Sequence, residues 1–165
     1  MTLEELKAFC ADPGDIRYYL TAPWSRGEFT YATNGHIILR VARIAGVEEQ
    51  PKAPDAAGLF AKVAAPSNWM PVPAATMPPG MECDECKGTG IFTDTYGGVE
   101  HKEDCEWCNK TGKVKRHIGV VLAGTFFDKG YLSMLQGWEI SPGKQKPAWI
   151  RKGDVTGLLM PRNRI

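Results

Sequence analysis

Apolar residues at Leu3, Leu6, Phe9 and Cys10 share one helical face, and Thr2 with Glu5 forms a capping box ahead of them. The pattern predicts a helix over residues 3–11, stopped before Asp12-Pro13-Gly14. Ile16 to Trp24 is rich in β-formers, and Ser25-Arg26-Gly27 reads as a turn. Two β-prone runs, 29–33 and 36–41, then flank Asn34-Gly35, the strongest short hairpin signal because both turn positions favour positive φ. Asp55 can cap a helix over 56–65, and the five prolines of 66–80 predict an extended connector. Beyond the middle of the chain, the pattern predicts a strand over 118–123 and a helix over 126–136, with Phe127, Tyr131, Leu132 and Leu135 on one face. Three short strands follow at 138–140, 148–151 and 155–160, separated by Pro142-Gly143 and Gly153-Asp154.

The predicted order is α-β-β-β before the middle of the chain and β-α-β-β-β after it. The expected fold class is therefore α+β, built from two β-α-β-β-β-like halves of which the first lacks its leading strand. The expected divisions are 1–80, a cysteine-bearing module over 81–116, and 117–165. Glycine (18) and proline (12) are abundant enough to support so many turns, and 43% hydrophobic content suffices for one core. The 20 basic and 19 acidic residues exclude a strongly basic coat protein and an acidic disordered chain. No apolar run reaches the roughly 18–20 residues of a membrane span. MTLEELKAFCA carries acidic residues where an export signal has positive ones, so a cytoplasmic, non-membrane protein is expected.

Five cysteines, an odd number, argue for reduced thiols over a disulfide framework. Cys83-x2-Cys86 and Cys105-x2-Cys108 have the spacing with which two tight turns complete a tetrahedral thiolate site. Four ligands close the shell, so one structural Zn2+ is the expected cofactor, with no catalytic role. Gly88, Gly90 and Gly112 let each turn reverse closely, and Gly97-Gly98 predicts a small hairpin between them. A thiol–disulfide redox pair is the competing reading of one CxxC. His101 and His117 could replace a thiolate but are read as ordinary surface or strand residues. The 82–116 segment holds six basic and eight acidic residues, which opposes phosphate binding there. Basic residues gather instead near the C-terminus, and DNA is the second partner considered.

Cys83-Asp-Glu-Cys86-Lys-Gly88-Thr-Gly90 resembles the CxxCxGxG repeat of the DnaJ-type zinc finger. Cys105-Glu-Trp-Cys108-Asn-Lys-Thr-Gly112 is similar, with Lys110 in place of a glycine. Two repeats imply one zinc, where that family's four hold two. Separately, Ala32-Thr33-Asn34-Gly35-His36 resembles the ATDGHR hairpin of bacterial DNA polymerase sliding clamps (β subunit). Val155-Thr-Gly-Leu-Leu-Met160-Pro161 resembles the clamp's terminal Met-Pro strand. That resemblance implies a single clamp-like domain of prophage type, itself a pair of β-α-β-β-β units, carrying an inserted zinc module. It also implies a candidate peptide pocket at Thr33, Gly35, His36, Met160 and Pro161. Ile37 stands where the family has arginine, and the helix over 3–11 sets Lys7 against Glu4 and Glu5 where clamps line their hole with cations.

No nucleophile–base arrangement or phosphate-cradling loop is present, so no enzyme is expected. The expected function is a non-enzymatic interaction protein presenting its zinc module to a protein partner, with Tyr96 and Trp107 as candidate contacts. The alternative is a replication accessory that assembles as a ring on DNA. The sequence leaves the oligomeric state open.

Overall fold

The computed structural model describes residues 1–75, 80–96, 99–114, 119–144 and 146–162. The expected Gly97-Gly98 turn, His117, part of the Pro-rich connector and the last three residues lie outside the described residues. Mixed α/β structure, mostly strands with few helices, is what these residues form.

Helix α1 spans Leu3–Lys7 and is shorter than expected. Its capping box is present: Glu5 N–H donates to Thr2 Oγ1 (3.2 Å) and Thr2 N–H to the Glu5 carboxylate (2.7 Å). Phe9 and Cys10 N–H donate to Leu6 and Lys7 carbonyls three residues back, so Phe9 reaches the core from a tighter turn. Most of the β-former run 16–24 is not strand. Ile16 is 93% exposed and Tyr18–Leu20 forms a 3-10 turn, because β-propensity without a pairing partner makes no strand.

Strands β1 (Trp24–Arg26), β2 (Phe29–Thr33) and β3 (Ile37–Ala42) follow, so Ser25 and Arg26 are paired residues and the turn falls at Gly27-Glu28. Helix α2 (Ala56–Lys62) starts where Asp55 Oδ1 accepts from Gly58 N–H, and ends three residues before the expected boundary. The connector contains a short strand, β4 (Met70–Pro71). Then come β5 (Met81–Glu82), β6 (Ile91–Tyr96), β7 (Val99–Asp104) and β8 (Lys113–Val114), followed by β9 (Gly119–Leu122) and β10 (Thr125–Asp128). Helix α3 occupies Lys129–Met134, and β11 (Glu139–Gly143), β12 (Lys146–Lys152) and β13 (Val155–Leu159) complete the order.

Residues 126–128, expected to be helical, belong to β10. Phe127 pairs with Val120 in a ladder, and Asp128 caps the following helix by accepting from Gly130 N–H (2.8 Å). Two strands therefore precede α3, one more than the expected β-α-β-β-β order.

The main sheet runs β1-β2-β3-β13-β12-β11-β4, with antiparallel neighbours throughout. Strands β3 and β13, one from each sequence half, adjoin near its centre, and β1-β2-β3 is mirrored by β13-β12-β11. Side-chain alternation divides β2, β3, β12 and β13 between two cores. Ile37, Leu39, Val41, Ile150 and Leu159 pack with Leu6 and Phe9 near α1 and Leu132 and Leu135 near α3. Ile38, Tyr31 and Leu158 face the other way and pack with Trp24 and with Ala56 and Phe60 of α2. Contacts divide the chain into a discontinuous body, Met1–Ala75 with Gly119–Ile165, and a second unit, Thr76–Ile118. Among the described residues no helix is long and apolar enough to cross a membrane.

Candidate metal centre

In the second unit, β5 and β8 pair at the base and β6 and β7 form a six-pair antiparallel ribbon. Two turns, 83–90 and 105–112, carry the cysteines. They repeat each other at an offset of 22 residues in most of their hydrogen bonds. Cys83 N–H donates to Gly112 O and Cys105 N–H to Gly90 O, both at 2.9 Å. Gly90 N–H donates to Cys86 Sγ (3.2 Å) and Gly112 N–H to Cys108 Sγ (3.3 Å), each orienting a ligand sulfur.

Gly90 and Gly112 are required by close approach. A Cβ at Gly90 would collide with the Lys110 carbonyl, and one at Gly112 with the Gly88 carbonyl. Lys110 takes φ +64°, the left-handed conformation that its counterpart Gly88 adopts freely at +81°.

All four sulfurs lie within 4.8 Å of one another and all four cysteines are buried. Cys83 Sγ and Cys105 Sγ are 3.8 Å apart, and Cys86 Sγ and Cys108 Sγ 3.7 Å. These separations far exceed the roughly 2.05 Å of a disulfide. They suit four thiolates arranged around one soft metal ion. Burial disfavours the Cys86 thiolate but is outweighed by the Gly90 N–H and the neighbouring thiols, which bring that thiol down to about 7. His101 is exposed on β7 opposite Asp94, and among the described residues no histidine joins the converging group.

Thr89 and Thr111 are structural residues that sequence reasoning left unassigned. Each hydroxyl bridges its turn to the next strand: Thr89 Oγ1 lies 2.7 Å from Cys86 O and 2.8 Å from Ile91 O, and Thr111 Oγ1 2.6 Å from Cys108 O and 2.8 Å from Lys113 O. The shared Thr-Gly after each CxxC was the available signal. Tyr96 and Trp107 are 82% and 75% exposed.

In the body, the other predicted residues meet around the β2–β3 connection. The register pairs Thr33 with Ile38, so the loop is wider than the expected two-residue turn. Asn34 Oδ1 accepts from His36 and Ile37 N–H, both at 2.9 Å, and only Gly35 takes positive φ there. Thr33 Oγ1 donates to Ile37 O (2.6 Å) and accepts from Gly35 N–H (3.0 Å), so its hydroxyl serves the loop. His36 stacks on Tyr131 with 4.8 Å between ring centroids, and Met160 N–H donates to His36 O (2.8 Å), which brings Met160 and Pro161 alongside. Four cavities of 130–530 Å³ are lined by other side chains.

Cys10 stands apart from the four-sulfur group, and burial pushes its thiol up to about 11. No protein-family model, curated protein or solved structure matches this chain.

Proposed function

We propose that the second unit holds one structural zinc ion and that the protein is a non-enzymatic, cytoplasmic interaction protein presenting this module to a protein partner. The observation that carries the metal reading is the pair of 3.7–3.8 Å sulfur separations. A tetrahedron with Zn–S bonds of about 2.3 Å has an edge of about 3.8 Å. Four thiolates fill such a shell, leaving no open position for a reacting ligand. Convergence of both CxxC pairs on one point also counts against a redox role for either. Elemental analysis of the purified protein tests the reading: one zinc per chain is expected, and a metal-free chain that turns over a dithiol substrate would overturn it.

Exposure supports the interaction role. The β6–β7 ribbon is exposed along both strands, and Tyr96 and Trp107 offer large amphipathic contacts. Partner capture with parent protein and a Trp107→Ala control tests it; a partner held equally by both would count against Trp107 as a contact.

The second reading, a clamp-like body acting as a DNA-associated replication accessory, is favoured by the mirrored strand order about β3 and β13. Helix α2 on the second sheet face and the additional strand before α3 are departures from paired β-α-β-β-β units. The Lys7–Glu4 ion pair leaves α1 a poor source of cations for a DNA-lined hole. This reading predicts hexamers by light scattering and duplex affinity that falls steeply with salt. A monomer without duplex affinity at low salt would remove it.

A further inference from the structure

Arg40 lies on β3 on the same sheet face as Ile38, directed toward the apolar core beneath α2. A cation among apolar groups requires compensation. Three rings supply part of it: the guanidinium carbon is 4.3 Å from the Phe60 centroid, 5.2 Å from Phe29 and 5.7 Å from Trp149. Its Nε donates to Thr156 Oγ1 at 2.9 Å. Among the described residues, no carboxylate comes within 4.0 Å of Arg40, and neither terminal nitrogen has a hydrogen-bond acceptor.

Rings compensate the faces of a planar guanidinium and leave its terminal N–H donors facing the cleft without a protein acceptor among the described residues. A cavity of about 480 Å³ opens at this point, lined by Arg40, the three rings and Ala57 and Ala61 of α2. Arg26 and Glu28 stand at its β1–β2 turn and supply its remaining charges. The geometry points to a ligand-binding cleft for a carboxylate borne on an aromatic or aliphatic group. The carboxylate takes the paired N–H donors of Arg40, whose fork matches two oxygens, and the apolar part covers the rings. One floor cation in mostly apolar surroundings suits a singly charged carboxylate better than a more strongly hydrated phosphate dianion. Such a carboxylate could come from a free acid or from the C-terminal residue of a peptide.

The test is a chemical-shift titration of the full chain, reading the Trp149 indole N–H, which donates to Ala64 O at 2.7 Å. The probes are 3-phenylpropionate and N-acetyl-Gly-Gly-Phe, each compared with its own amide. Saturable binding of either acid at least tenfold tighter than its amide is expected, and the tighter acid identifies the source. Arg40→Gln should weaken that binding tenfold or more. Because this variant could lose the α2 packing, Ala57→Trp provides a second arm: Ala57 is exposed at the cleft and distant in role from the ion. A tryptophan there should fill the cleft and abolish binding with the thermal midpoint retained. Equal binding of acid and amide, no saturable binding by either acid, or undiminished binding to Ala57→Trp would overturn the proposal.

Discussion

In the body, Leu6, Ile37, Leu39, Phe127, Leu132, Ile140, Ile150 and Leu159 are withdrawn from water almost completely. In the second unit the buried hydrophobic cluster consists of Cys83, Cys86, Cys105 and Cys108, with Val114 packed against it. Its β6–β7 ribbon is exposed on both faces, and a lone two-stranded hairpin is marginal in water. A core of hydrocarbon and a core of four sulfurs stabilise by different means. The first is proportional to apolar area, whereas the second depends on a single ligand shell. The contrast implies that the two units should respond to different perturbations.

Chelation should produce the largest effect. Removing the proposed zinc would forfeit roughly 10–16 kcal/mol of apparent binding free energy, which the buried cluster of this unit's described residues, four cysteines and Val114, could not replace. Dispersed amide signals from 81–114 should collapse while those of the main sheet persist. Thiol-reagent counting at pH 8 checks the same event: four fast thiols should appear on chelation. Cys10 should stay silent, because its pKa of about 11 leaves it protonated there and thiolate accumulates only as pH rises toward that value.

The converse perturbation is Phe127→Ala in the body, at a fully buried β10 residue of the first core. It should cost about 3–5 kcal/mol in denaturant unfolding. Its metal content should match the parent's; loss of zinc as well would show that the two units do not stabilise themselves separately.

Smaller changes sharpen the contrast. Lys110→Gly should strengthen the second unit by about 1–2 kcal/mol, since it relieves a left-handed lysine and gives up only the exposed pair with Asp104. The expected readout is tighter retention of metal against a competing chelator. Thr2→Ala removes the cap of α1 and should cost the body about 1 kcal/mol, seen as a lower thermal midpoint without a change in metal affinity.

Local rules were readable from the chain alone where a few neighbouring residues settle the matter. The Thr2–Glu5 capping box, the Asp55 cap and the β2–β3 hairpin each depend on side chains within four residues of one another. The two CxxC turns belong with them, because their glycines and threonines satisfy the sulfurs and carbonyls locally. Pattern failed where strand pairing, or its absence, overrides what the residue types suggest, even between residues three to seven apart. Phe127 sits at helical spacing with Leu132 and Leu135, yet ladder pairing with Val120 holds it in a strand. Ile16 and Tyr18 are β-formers with no strand beside them. Ser25 and Arg26 look like turn residues, but Thr30 and Phe29 pair with them.

Two equivalent thiol-bearing turns follow from the residues alone, because i-to-i+3 geometry and glycine conformations carry that information. An α+β body with short elements follows from them as well. That β3 and β13 adjoin near the sheet centre and that α2 covers the second face emerges from long-range packing. The same holds for Arg40, which is 116 residues from Thr156 and 109 from Trp149, and whose place among the rings no local pattern announces. Such contacts arise from cooperative packing of a whole sheet, and the energy that selects them is spread over residues that no short window contains.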